Sequence, residues 1–177
     1  MIGIVADIAH RAVRLNSHLG ANAAKETPGI VLMDEVDMHL HPEWQQTVIA
    51  PLRNAFPQIQ FIVTTHSPQV LSTVRKENIR LLSADGTVEE LSDDAGTYGA
   101  ESPRVLQEIF GVDSRPQGVE TTGKLRRYLA LVEDQQEASE EGQTLRRELE
   151  DALGRHDPGL ITADMRISQL KVLRRRQ

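Results

Sequence analysis

The sequence predicts an α/β fold followed by a charged α-helical extension, and three observations lead to that prediction. Residues 29–33 and 59–64 each contain a short apolar run, and the segment between them has the pattern of a helix. Strand, helix and strand in that order form a βαβ unit, whose strands pair in parallel. Beyond Val112 the sequence becomes polar and turn-rich, and then charged with narrow apolar stripes. We therefore expect one domain over residues 1–112 and a helical extension over residues 113–177.

The composition excludes several classes of protein. With 177 residues the chain is long enough for one domain, or for one domain with an appendage. A formal net charge of −6 provides no overall attraction to nucleic acid or to an anionic membrane, so nucleic-acid binding is possible but not indicated. The absence of cysteine excludes disulfides and thiolate metal sites.

The sequence contains no signal for a membrane. No apolar run approaches the roughly 20 residues that a membrane helix needs, and no signal peptide follows Met1. We therefore expect a cytoplasmic protein without a membrane partner. The basic run Arg174-Arg175-Arg176 is interpreted as a solvated tail.

The first predicted element is a helix over residues 2–19, followed by a polar loop over residues 20–29. Apolar residues recur every three or four positions, which is typical of a helix with one buried face. These residues are Ile4, Val5, Ile8, Ala12, Leu15 and Leu19. No N-cap residue precedes the helix, which is typical of a chain cut from a longer one.

The two strands flank a helix that we predict over residues 42–56. Each strand contains an unbroken apolar run, over residues 30–33 and 61–63, which indicates burial on both faces, as in a parallel sheet covered by helices. Pro42 suits the first helical turn, and Pro51 predicts a kink or an early break. The expected buried residues of this helix are Trp44, Val48, Ile49, Leu52 and Phe56.

Turn and cap residues organise the rest of the chain. Ser67 and Pro68 suit the N-cap and first position of a short helix, and Asp85-Gly86 predicts a hairpin of two antiparallel edge strands. Another short helix begins at Ser102-Pro103. The extension has three apolar stripes, which pack on each other, on the first domain or on a partner. The stripes are Leu125, Leu129 and Val132; Leu145, Leu149 and Leu153; and Ile161, Met165, Ile167 and Leu170.

Reactive side chains directly follow the two strands. Asp34 and Glu35 follow the first strand, and Thr65 and His66 follow the second. Because open α/β sheets bind ligands at the carboxyl ends of their strands, we expect these side chains to lie side by side. Asp34 can bind Mg²⁺, which prefers oxygen ligands. Beside a γ-phosphate, Glu35 can orient or deprotonate an attacking water, and His66 can donate a hydrogen bond to a phosphate oxygen. Thr64 and Thr65 can hydrogen-bond water or phosphate.

Two segments, LMDEVDMHLHPEWQ and FIVTTHSP, resemble the ABC-type ATPases of the RecF, OLD and SMC-like group within the AAA family. Within that group they are most similar to the stand-alone bacterial ATPases related to those of Septu and retron antiviral systems. The resemblance implies that Asp34 and Glu35 are the Walker B pair with its catalytic glutamate, and that His66 is the switch histidine. It also implies that Asp37 lies in the D-loop, which reaches across a head-to-tail homodimer. TYGAESPRVLQEIFGV extends the resemblance to residues 2–112.

Two motifs of that family are missing from the sequence. It contains neither a G-x-x-x-x-G-K-[ST] phosphate loop nor the Ser- and Gly-rich signature turn. The resemblance therefore implies the C-terminal part of a P-loop ATPase, with ATP and Mg²⁺ as cofactors. Tight ATP binding is not expected of this polypeptide alone. The expected partners are a second copy and a nuclease that binds the C-terminal helices.

Two other functions stay open at this point. Without the missing motifs, the chain could instead be a non-catalytic interaction module that binds a partner through its C-terminal helices. Asp37, His39 and His41 alternate along the chain, and together with Glu35 they could form the transition-metal site of a hydrolase. The family resemblance instead makes HLHP a loop that caps the following helix.

Overall fold

The computed structural model of the chain describes residues 2–174. Residues up to Ser114 form one compact unit and residues from Arg115 onwards form a second. No helix within the described range is long and apolar enough to cross a membrane. The side chains of the predicted basic tail, Arg174 to Arg176, lie outside the described residues.

The first unit contains helices and two small sheets. Its helices are α1 (Ile2–Leu15), α2 (Ala23–Glu26), α3 (Pro42–Gln45), α4 (Ile49–Ala55), α5 (Pro68–Leu71) and α6 (Ser102–Glu108), with 3₁₀ turns at Ser17–Asn22 and Lys76–Asn78. Its strands are β1 (Gly29–Met33), β2 (Ile59–Val63), β3 (Arg80–Leu82) and β4 (Val88–Glu90).

Strands β1 and β2 pair in parallel, from Gly29 beside Ile59 to Met33 beside Val63. The parallel pairing of the predicted βαβ unit is therefore confirmed. The predicted hairpin is also present, but β3 and β4 form a two-stranded sheet of their own, and the described strands β1 and β2 pair only with each other. The expectation that the hairpin edges the β1–β2 sheet was wrong.

Burial on both faces of the β1–β2 sheet was predicted wrongly. Side chains alternate across a strand, so the two faces meet different surroundings. One face packs on a core cluster of Val36, Val48, Leu52 and Val70. The residues of this face are Val31, Met33, Phe61 and Val63. The opposite face is exposed, with Leu32 at 74% and with Ile30 and Ile62 also accessible.

Helix α1 ends four residues before the predicted boundary. Ile8 and Ala12 are buried as expected, whereas Leu15 is exposed. A 3₁₀ turn follows, in which Gly20 has φ 52°, a conformation that interrupts the helix and suits glycine. The predicted loop instead contains α2, whose Ala23 is fully buried.

The helix between β1 and β2 breaks at residues 46–48 instead of at Pro51, and Pro51 lies in the first turn of α4. A proline there costs no helical hydrogen bond. The break also changes which residues share a face. Val48, Leu52 and Phe56 are buried, but Trp44 on α3 is 57% exposed, so its assignment to the core was wrong.

The second unit consists of α7 (Glu120–Glu133), α8 (Glu140–Leu153) and α9 (Pro158–Arg174), and α7 packs against both of the others. Its core includes Leu125, Tyr128, Val132, Leu149, Leu160 and Ala163. The stripes on α7 and α8 are confirmed. On α9 the buried residues are Leu160 and Ala163, whereas the predicted Met165 is 60% exposed and Ile161 also faces solvent.

Candidate functional site

The carboxyl ends of β1 and β2 lie side by side, as their parallel register requires. Backbone pairing continues one step beyond the strands. The Thr64 N–H donates to the Met33 carbonyl at 3.0 Å, and the Val36 N–H donates to the Thr64 carbonyl at 3.0 Å. Asp34 and Glu35 are thereby held in the turn directly opposite Thr64.

The hydroxyl of Thr64 joins both acidic residues. It accepts a hydrogen bond from the Glu35 N–H at 2.8 Å and donates to Oδ1 of Asp34 at 2.5 Å. Glu35 itself has φ 47°, a left-handed conformation that is uncommon for a residue with a side chain. Such conformations are typical of functional sites and persist where surrounding contacts hold them.

The loop after Glu35 is tied to the start of α5. Thr65 donates a hydrogen bond from its hydroxyl to Oδ1 of Asp37 and accepts one from the Ser67 N–H at 3.0 Å. The Gln45 amide donates to the Leu40 carbonyl at 3.0 Å, and the Ser67 hydroxyl donates to the Gln45 Oε1 at 2.8 Å. Asp37 and Thr65, both predicted to contact nucleotide, therefore bind each other. Their contact with nucleotide stays a prediction.

Ser67 also confirms the predicted start of α5. Its hydroxyl accepts a hydrogen bond from the Val70 N–H at 3.2 Å, as an N-cap does. Ser67 is buried, so this cap anchors the segment that carries His66. The His66 side chain itself is exposed at the same end of the sheet.

The alternative metal site does not form. Among residues 2–174, no group of three or more His, Asp or Glu side chains is arranged to hold a metal ion. His39 has φ 62°, which breaks the extended alternation that the hypothesis needed. His41 turns towards its own helix, where Nδ1 accepts a hydrogen bond from the Glu43 N–H at 3.4 Å. The cap predicted for HLHP is confirmed, and the Asp37/His39/His41 site was wrong.

The acidic pair is accessible to a ligand. Asp34 is exposed, and both Asp34 and Glu35 line a cavity of ≈ 580 Å³ whose other wall includes Gly3, Ile4 and Asp7 of α1. The hydrogen bonds found among the described residues engage Oδ1 of Asp34 and leave Oδ2 available. A single carboxylate with a free oxygen fits Mg²⁺, because this ion usually combines one or two carboxylates with phosphate and water.

Part of the chain matches a known protein family. A family described as "AAA domain, putative AbiEii toxin, Type IV TA system" matches residues 18–72, which include Asp34, Glu35 and His66. This chain contains part of an AAA-family ATPase domain. The resemblance inferred from the DE and TTHS segments is therefore confirmed.

Relatives extend the similarity beyond the AAA segment. The chain is 40% identical to a retron Ec83 probable ATPase of Escherichia coli over 96% of its own length, and 40% identical to a retron Vc95 probable ATPase of Vibrio cholerae over 77%. It is also 58% identical to the Septu protein PtuA of Bacillus mycoides over 43 residues, which are 24% of this chain and 6% of that protein. The chain spans only 30% and 27% of the two retron proteins.

The sequence did not reveal the roles of Thr64 and Gln45. Thr64 was considered only as a partner for water or phosphate, yet its hydroxyl is shared by Asp34 and Glu35. The β1–β2 register places Thr64 beside Asp34, so the pattern of a threonine at a parallel strand end could have indicated the contact. Gln45 offers no such signal, because its hydrogen bonds to the Asp37 and Leu40 carbonyls depend on the path of the loop before α3.

Proposed function

We propose that this chain contributes the γ-phosphate-facing part of an ATPase site. The observation that carries the proposal is the turn at the end of β1, where Asp34 and Glu35 are held by Thr64 beside the strand that leads to His66. Membership of the AAA family and the relatives named as probable ATPases support it.

Each side chain has a distinct proposed role. Asp34 would hold Mg²⁺ through its carboxylate, and the bound ion would supply positive charge to offset that of the phosphates. Glu35 orients the attacking water and accepts its proton. His66 donates a hydrogen bond to a γ-phosphate oxygen. Asp37 and Thr65 contact the nucleotide from the loop that their mutual hydrogen bond shapes.

ATP acts in this proposal as a clamp between two copies. They associate head to tail, with Asp37 near the nucleotide of the other copy, and hydrolysis releases them. The sequence holds no phosphate loop, so the amides and lysine that cradle ATP come from another segment. The released state acts on a partner in an antiviral system, and a nuclease bound through the helices of the second unit suits that role.

The glutamate substitution tests the proposal. In the protein expressed from its complete reading frame, Glu35→Gln should keep ATP binding, lower turnover by roughly 10²–10⁴-fold and accumulate the dimer. Phosphate release, nucleotide binding and light scattering measure these three quantities. Glu26→Gln, an exposed glutamate of α2, is the matched control. Turnover at the wild-type rate in Glu35→Gln would refute the proposed role.

The missing phosphate loop favours one second candidate, a non-catalytic module that binds a partner through α7, α8 and α9. The wild-type protein decides between the two. ATP hydrolysis supports the ATPase, whereas partner binding that persists without any ATP binding supports the module.

A further inference from the structure

Thr64 contacts four consecutive residues of the acidic turn. Its backbone N–H and carbonyl bond Met33 and Val36, while its hydroxyl bonds Glu35 and Asp34. The backbone contacts do not depend on the side chain, so they should survive a substitution. The hydroxyl contacts depend entirely on it, and their contribution can be measured separately.

The hydroxyl is suited to fix the direction of two carboxylates at once. Glu35 is in the left-handed region, φ 47°, and its N–H points at the Thr64 Oγ1. Relaxation of Glu35 to an ordinary conformation would turn its carboxylate elsewhere. The same oxygen donates its proton to Oδ1 of Asp34, which orients Oδ2.

We propose that Thr64 is a positioning residue that holds the carboxylates of Asp34 and Glu35 in the geometry for hydrolysis. This inference rests on the proposed ATPase function. Thr64 does not contact the nucleotide in this role. It differs from Thr65, whose hydroxyl binds Asp37 and Ser67 and so shapes the next segment of the loop.

Two variants distinguish the contribution of the Thr64 hydroxyl group from that of the side chain's branched shape. Thr64→Val preserves the branched shape and removes the hydroxyl, whereas Thr64→Ser keeps the hydroxyl. Thr87→Val is the matched control, because Thr87 also donates to an aspartate, Asp85 at 2.7 Å, but lies in the exposed β3–β4 hairpin. A fold defect alone would appear in the exchange of buried amides such as that of Leu52.

The first measurement is independent of ATP. Amide hydrogen exchange of Glu35, followed by NMR, should become about tenfold faster in Thr64→Val because its acceptor is lost. Thr64→Ser should restore it to within about twofold of wild type, since the hydroxyl is retained. Thr87→Val should leave it unchanged. Unchanged Glu35 exchange in Thr64→Val overturns the inference, even if the enzyme is active.

The second measurement separates turnover from binding. In the protein from the complete reading frame, Thr64→Val should lower kcat by about 10²-fold and leave KM for ATP within about twofold, because misplaced reacting groups slow chemistry more than binding. Thr64→Ser should recover most of kcat. Equal kcat in wild type and Thr64→Val, or a serine variant as slow as the valine variant, overturns the positioning role. A wild-type protein without turnover rejects the proposed function, and with it this role, before any variant is made.

Discussion

Asp157 stabilises the second unit through two contacts that a pair of substitutions can separate. It immediately precedes α9, and Oδ1 accepts a hydrogen bond from the Gly159 N–H at 2.8 Å, as an N-cap does. Nη2 of Arg115 also donates to both of its oxygens, at 2.6 and 2.8 Å. The Asp157 side chain is only 11% exposed and that of Arg115 is 32% exposed, so solvent screens this pair less than most others in the unit.

These contacts give the expected size of the effect. Loss of an aspartate N-cap costs about 1 kcal/mol, and a partly screened charged hydrogen bond contributes about another 1 kcal/mol. Asp157→Ala, which loses both, should therefore lower the free energy of unfolding by about 2 kcal/mol. Asp157→Asn keeps the cap because asparagine caps as well as aspartate, so it should lose only about 1 kcal/mol.

Urea unfolding tests both values, followed through the NMR signals of the buried Leu149 and Leu160, which report on the second unit alone. Exposed Glu140→Ala in the first turn of α8 is the control. Equal losses in Asp157→Ala and Asp157→Asn would refute the separate cap contribution. A loss below about 0.5 kcal/mol in Asp157→Ala would refute both.

The same contacts predict a pH dependence. Burial raises the pKa of Asp157, but the Arg115 hydrogen bond, the Gly159 and Leu160 amides and the Arg115 charge outweigh it, so the pKa lies below the ordinary 3.8. A carboxyl group with a lowered folded pKa contributes stability above its unfolded pKa and loses it as pH falls through the folded value. The stability gap between wild type and Asp157→Asn should therefore be constant near neutral pH and narrow in acid below 3.8. A gap that widens in acid would contradict this assignment.

Two further predictions compare matched positions. Gly142→Ala in α8 should lower the free energy of unfolding by about 1–3 kcal/mol, because the added Cβ would lie 2.6 Å from the Glu137 carbonyl oxygen. Gly123→Ala in α7 should raise it by about 0.5–1 kcal/mol, because the added Cβ meets no atom within 4 Å. Shifts of the melting temperature with the same sign in the two variants would contradict this prediction. Phe56→Ala should lower the free energy of unfolding by about 3–5 kcal/mol, because the residue is only 1% exposed. Trp44→Ala should lower it by about 1 kcal/mol or less, because Trp44 is 57% exposed. Equal losses in urea denaturation would contradict this difference in burial.

The local features of the candidate site could be predicted from the sequence because their causes lie within a few residues. Ser67 before Pro68 caps α5, and His41 before Pro42 caps α3. A cap needs only a side chain with an acceptor and the first turn that follows it. Asp34, Glu35 and His66 were recognised in the same way, as polar residues that directly follow apolar strands. Their catalytic roles stay predictions.

The contacts that shape the site could not be predicted in this way. Thr64 bonds Glu35 across 29 positions of the chain, and Thr65 bonds Asp37 across 28. Such contacts depend on the register of β1 against β2, and a one-residue change of register would move every side chain to the other face. The left-handed conformations of Glu35 and His39 likewise follow from tertiary constraints and not from residue type.

The sequence by itself indicated the family and most of the elements, but not α2 or the break at residues 46–48. Alternating segments of apolar and polar residues identified the parallel pair, the hairpin and the helices, and the DE and TTHS segments identified an AAA-family ATPase domain. Only the tertiary structure decided which faces are covered. Leu32 on β1 and Met165 on α9 are apolar, like the half-buried Met33 on β1 and the buried Leu160 on α9, yet both are exposed. The reason is that an apolar side chain is buried only where another segment packs on it, and no local pattern specifies where that segment lies.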